Sequence, residues 1–220
     1  MKKNLIIVEL KTTMEADKAV LEVDDAVREI FAALDSGKVR PSASGLVSDM
    51  CGLVRDTSGL VRDACGLMRD ASGLVSDSAT EEKYKDLTKK TRDLCREAVQ
   101  FSRYCRRFTG LARTEDVSGM VKDASGLVSD AIRMARNASG LVSDALELVR
   151  GMNSEKQKDL PGKIEDLKKK ADELEKQSEY VSDPEEASDL ARDVSGLVRD
   201  VSGIVRDVSG VIRNGSGLVR

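Results

Sequence analysis

The chain contains no histidine and no tryptophan. Without His the commonest general base is missing, and Ser–His or Cys–His activation of a nucleophile is excluded. A zinc site loses its usual nitrogen ligand, and the four cysteines, Cys51, Cys65, Cys95 and Cys105, form no CxxC pair. Those cysteines read as core thiols, with Cys51 and Cys65 standing where neighbouring copies of a repeat have Ser. Aromatics are scarce, three Tyr and three Phe, so any core is aliphatic and thin. Three prolines leave few forced breaks in 220 residues. No apolar run approaches the roughly 18 residues of a membrane-crossing helix. The opening run Leu5–Val8 stops at Glu9, too short for a signal peptide. A cytoplasmic address is the default that these absences leave. The net charge of −3 demands neither nucleic acid nor membrane as partner.

What the chain has instead is one seven-residue phrase. It is clearest at 194–207, V-S-G-L-V-R-D followed by V-S-G-I-V-R-D. Copies fill three blocks: Ala43–Asp77, Val117–Gly151 and Ala187–Arg220. Label the phrase a to g, starting at the Ala, Val or Thr. Apolar residues then fall at a, d and e, a stripe of about 100° on an α-helix. Ser is b, Gly is c, Arg or Ser is f and Asp is g. The adjacent Leu-Val pair breaks the alternation that a strand needs. Copies this regular are compatible with a consensus-like or designed sequence.

Twelve of the seventeen glycines occupy c: Gly45, Gly52, Gly59, Gly66, Gly73, Gly119, Gly126, Gly140, Gly196, Gly203, Gly210 and Gly217. Each costs a helix about 0.8–1 kcal/mol against Ala, so a block of five gives up on the order of 4–5 kcal/mol. Such a helix has to be held by packing or by a surface it binds. One explanation is simple duplication, with Gly tolerated on a solvated face. The other is an interface groove, because a row of Gly between a row of Arg and a row of Asp lets a second backbone approach. Two such faces meeting in parallel set Arg against Asp; antiparallel, they meet like against like. The charge rows would then select register more than supply affinity.

Between the blocks lie helices of unrelated sequence. The first is expected from Thr12 or Thr13 to Leu34, with Val20, Val23, Val27, Ile30, Phe31 and Leu34 inward; residues 4–10 read as a short strand or a frayed helix start. Asp35-Ser-Gly-Lys is a stop signal, and Pro41-Ser42 starts the next helix. Ser78-Ala-Thr-Glu-Glu starts a helix over about 81–110, with Tyr84, Leu87, Thr91, Leu94, Ala98, Phe101, Cys105 and Phe108 in its heptad seam. Gly151 and Ser154 read as caps, Pro161-Gly162 as a delay or kink, and Ser182-Asp-Pro-Glu-Glu as the start of the last helix.

The expected fold is therefore all-α: six long helices as three αα-hairpins, an up-down bundle or a stack of hairpins with heptad-repeat helices. It forms one domain over 1–220, with hairpin units 13–78, 79–151 and 152–220. In an up-down order the three repeat helices point the same way.

The function expected is structural or protein-interacting, without catalysis, cofactor or metal. The partner would be a second copy or another helical protein. The first alternative is a lipid surface, met by the amphipathic stripes. The second is a polyanion, because residues 83–113 hold ten basic side chains against three acidic ones. Lys89, Lys90, Arg92, Arg96, Arg103, Arg106 and Arg107 would form that face. Against it, the interleaved aromatics fall mostly on the seam, and carboxylates such as Asp24, Asp25 and Glu29 are available to answer the charges. Nucleic acid is the less favoured partner.

Overall fold

The computed structural model describes residues 2–37, 39, 41–111, 114, 116–149 and 156–218. Their regular structure is entirely helical: α1 (Lys2–Asp35), α2 (Pro41–Ser72), α3 (Ser78–Leu111), α4 (Val117–Leu148), α5 (Lys156–Ser178) and α6 (Pro184–Leu218). The repeat blocks are α2, α4 and α6, and these three touch one another at the centre. Around them, α3 lies against α2 and α4, and α5 against α4 and α6. Helix α1 lies against α2 and α3.

Side-chain pairs fix the directions. Arg92 and Arg106 of α3 reach Glu15 and Glu29 of α1 at 3.2 and 3.3 Å, a constant offset that makes α1 and α3 parallel. On α4 the order reverses: Lys90 pairs with Asp144 and Arg107 with Asp123. Asp49 and Asp70 of α2 meet Ser188 and Ser209 of α6, again at constant offset. The odd helices thus run one way and the repeat helices the other.

The heptad is buried as its periodicity requires. Leu46, Leu53, Leu60 and Leu67 at d, with Val47, Val54 and Val61 at e, are buried along α2. Val194, Leu197, Val198, Val201, Val205 and Val208 are buried along α6. Each returns about 1.5–3 kcal/mol, so a few of them offset the whole glycine cost of a block. Thr57 at an a position is buried too, and its hydroxyl donates to the Leu53 carbonyl at 2.8 Å.

Helix ends follow local chemistry. Gly37, at φ +63°, closes α1 with its N–H on the Leu34 carbonyl at 3.1 Å. The cap of α3 is Asp77, one residue before the expected Ser78: its carboxylate accepts the Thr80 N–H at 2.8 Å. Asp183 accepts the N–H groups of Glu185 and Glu186 at 2.9 Å, with Pro184 opening α6. Block one was expected to stay helical to Asp77, but α2 stops at Ser72 and its fifth unit unwinds into the turn before that cap.

The first helix departs from expectation in two ways. It starts at Lys2, so residues 4–10 are helical and not a strand. Its inner face is Thr12, Ala16, Ala19, Val23, Ala26, Ile30 and Ala33, all buried. Val20, Val27 and Leu34 are only half-buried, and Phe31 is exposed. The small side chains sit at alternating spacings of four and three residues, the coiled-coil seam, which lets α1 lie close on its neighbours. Pro161 lies inside α5, so it does not delay that helix. Gly151 and Ser154 lie outside the described residues.

Candidate interaction faces

The most regular polar feature runs along the seam of α2 and α6. Ser188, Ser195, Ser202 and Ser209, the b residues of α6, donate to Asp49, Asp56, Asp63 and Asp70, the g residues of α2. Arg192, Arg199, Arg206 and Arg213, each four residues after its serine, reach the same carboxylates at 3.4–3.7 Å. Ser and Arg four apart lie on one helix flank, so a single aspartate receives both. The same clamp appears once on the other side of α2. Ser58 and Arg62 reach Asp24 of α1 at 2.7 and 3.1 Å. The arginines are about two-thirds exposed, so their share is small, and the buried serines, whose hydroxyls need an acceptor, fix the register.

The glycine rows stand elsewhere. Gly45, Gly52, Gly59 and Gly66 of α2, Gly126 and Gly140 of α4, and Gly196, Gly203 and Gly210 of α6 have nothing within 4 Å of where a Cβ would stand. Within this chain no second backbone approaches them. The Arg and Asp rows of α6 and α2 meet in parallel, but flank to flank, with the glycines to one side. Gly119 differs: a Cβ there would stand 2.2 Å from the Asp116 carboxylate that caps α4. Gly73 sits in the turn beyond α2. Gly217 falls near the end of α6.

The basic residues of α3 are largely answered by carboxylates. Arg92 pairs with Glu15, Arg106 with Glu29, Arg107 with Asp123, Lys90 with Asp144, and Arg96 with Asp93 one turn before it. Lys89 and Arg103 are exposed, as is Tyr104, the aromatic off the seam. The other seam residues, Tyr84 to Phe108, are all buried.

All four cysteines are free and buried. Cys65 and Cys95 face each other across α2 and α3 with sulfurs 3.9 Å apart. Burial pushes the Cys51 thiol up to about 11, against a smaller opposing pull from Arg55. The hydrogen bond to Cys95, then burial, raises Cys65, and burial raises Cys105. A raised pKa disfavours the thiolate at Cys51, Cys65 and Cys105. Among the described residues no group of three His, Cys, Asp or Glu could hold a metal ion. Two open depressions of about 340 and 640 Å³ flank the α5–α6 turn, lined by residues such as Tyr180, Glu186 and Asp193, and Ser125 and Ser182. Lys122 and Glu179 line the second beside Ser125, Ser178 and Ser182, and the first has only Glu186, Asp189 and Asp193 as charged groups.

What the sequence reading missed is the outer face of α1. Leu10, Met14 and Leu21 are 59, 71 and 61 % exposed, and Phe31 lies at their edge under the Arg55 guanidinium, 5.2 Å from its ring. The signal was the Ala-rich seam, which turns these larger residues outward. No helix among the described residues is long and apolar enough to cross a membrane. Comparison with known proteins gives no match: no family model fits the chain, and no curated protein or solved structure is similar to it.

Proposed function

We propose that this chain is a non-catalytic helical scaffold that acts by protein association. The repeat helices pack within the chain, and their glycine rows lie open beside that packing. The observation that carries the reading is the exposed apolar line of α1, Leu10, Met14 and Leu21. Three large apolar side chains gathered on one exposed helix face are the mark of an interaction face. The lipid reading has less support, because the Leu-Val-Ala stripes it would use are buried by the chain's own helices. The polyanion reading loses Lys90, Arg92, Arg106 and Arg107 to carboxylates on neighbouring helices.

Circular dichroism across a wide dilution range, with and without anionic vesicles, tests this. A scaffold keeps its helicity at every dilution and gains none from vesicles. Helix lost on dilution, or gained on vesicles, overturns the reading.

A further inference from the structure

We infer that Cys65 of α2 and Cys95 of α3 are a redox-active pair, which a hydroperoxide joins into a disulfide that locks the two helices together. The inference does not depend on what the scaffold binds. The two sulfurs are in contact at 3.9 Å, and both side chains are buried. Helix axes about 8–10 Å apart bring facing Cα atoms near the roughly 4.4–6.8 Å that a disulfide spans. The sulfurs have about 2 Å left to close, a side-chain rotation at each end rather than a movement of the helices. The repeat itself gives no reason for cysteine there. Cys51 and Cys65 both replace the Ser of position b, and Ser58 between them spends its hydroxyl on Asp24 of α1. At Cys65 the group in contact is the Cys95 thiol instead.

The other two cysteines stand across the same two helices and give the comparison. Cys51 and Cys65 are 14 residues apart on α2, about 21 Å of helical rise, whereas Cys95 and Cys105 are 10 apart on α3, about 15 Å. The helices are antiparallel, so one register cannot close both pairs. The observed register closes Cys65 on Cys95. It leaves Cys51 and Cys105 offset by roughly 6 Å along the axes, on top of the separation between them, which is beyond disulfide reach. The chemistry balances with one hydroperoxide for each bond. One sulfur, as thiolate, attacks a peroxide oxygen; the S–O bond forms and the O–O bond breaks. With hydrogen peroxide the departing hydroxide takes the thiol proton and leaves as water. The sulfenic acid so formed is attacked by the second sulfur; the S–S bond forms, the S–O bond breaks, and the second proton leaves in a second water. Each sulfur gives one electron, and the peroxide takes two. Cys65 is 6 % exposed against 2 % for Cys95, so it is the one a molecule the size of peroxide reaches first. Its raised pKa makes that first step slow, which suits a lock set under sustained oxidation rather than a fast sensor.

The test uses the full reduced chain. Hydrogen peroxide is added to the folded protein, remaining thiols are alkylated in denaturant, and the peptides are mapped by mass. A Cys65–Cys95 link within one chain is expected, formed at least tenfold faster than a Cys51–Cys105 link and reversed by a dithiol. The bond ties residues 30 apart across the α2–α3 turn. Closing a loop of that length should raise the thermal unfolding midpoint by at least about 4 °C over the reduced chain. C95S, treated alike, carries the same methionine oxidation without the bond and should show no such rise. Its Cys65 should be trapped as a sulfenic acid by a 1,3-diketone. The wild-type map needs no variant, so it decides the matter even where C95S folds poorly. The inference is overturned by a folded wild-type chain that forms no Cys65–Cys95 link, by Cys51 and Cys105 linking as fast, or by an equal rise in C95S. A link that leaves the midpoint unchanged overturns it too, since α2 and α3 would then not be locked.

Discussion

Helices α1 and α5 hold equivalent places and present opposite surfaces. Among the described residues each is a corner, touching two other helices: α2 and α3 for α1, α4 and α6 for α5. Each buries a narrow stripe, Val23 and Ile30 on one, Ile164 and Leu174 on the other. Outward, α5 is covered by charge, with Glu165, Lys169, Glu173 and Lys176 all exposed. Outward, α1 shows Leu10, Met14 and Leu21. An apolar exterior is therefore not the cost of a corner position, since α5 occupies one without it. The chain has charged residues in abundance, 34 % of its length, yet on the outer side of α1 it sets three large apolar side chains among them.

The largest effects should be alike in the two helices. Ile30→Ala and Leu174→Ala each empty a buried site and should cost about 2–5 kcal/mol in chemical denaturation. If Ile30→Ala were near neutral, α1 would not be docked, and its exposed face would be that of a loose helix. The next effect should separate them. Asp24→Ala removes the acceptor of Ser58, which is 2 % exposed, and should cost about 1–3 kcal/mol. Asp172 and Glu175 of α5 both hold Arg136 of α4 at 2.6 Å, and the hydrogen bond to Glu175 raises the already high pKa of Arg136. Glu175→Ala leaves Asp172 in place on a half-exposed site and should cost less than about 1 kcal/mol. Smaller still, Leu21→Gln should change stability by no more than about 0.5 kcal/mol while removing association. A large loss of stability at Leu21 would mean that its side chain is covered in the isolated chain.

The repeat blocks were legible because burial and copying agree there: a, d and e predict a stripe, and Leu53, Val54, Leu197 and Val198 are buried on it. The seam of α3 was legible for the same reason. In α1 two stripes compete. Val20, Val27, Phe31 and Leu34 have the larger side chains, while Ala16, Ala19, Ala26 and Ala33 have the right spacing. Side-chain size pointed to the first and close packing selects the second. A hydrophobicity reading gives Ala little weight, so it turns the helix away from the Ala-rich seam and leaves the outward line of Leu10, Met14 and Leu21 unremarked. The Ser–Asp clamp was beyond reach for another reason. Its two halves lie 139 residues apart, and nothing local in Ser195 or Asp56 says that they meet. The rows of Arg and Asp were visible, and so was the parallel order that lets them pair. The flank-to-flank geometry that leaves the glycines outside depends on how three repeat helices share one centre.

The smallest expected effect comes from the turn that joins the two helices on which α1 rests. Asp77 caps α3, and the Thr80 backbone N–H, with help from the Thr80 hydroxyl, holds its carboxyl below the ordinary range. A depressed folded value means that the cap stabilises α3 above the unfolded carboxylate pKa. That contribution is lost as pH falls through the folded value. Other carboxylates titrate in the same window, so the informative quantity is the difference between wild type and variant. Asp77→Asn keeps an oxygen acceptor without a charge, so the difference should be small and should vanish in acid. Asp77→Ala removes the acceptor as well, so a residual difference should persist there. The effect should also be directional. Helix α1 packs on α2 and α3, whereas α5 touches neither. Hydrogen exchange in Asp77→Ala should therefore quicken at the start of α3 and in α1, and leave α5 unchanged. Equal quickening in α1 and α5 would mean that the six helices open as one unit, and that the two corners differ in surface chemistry alone.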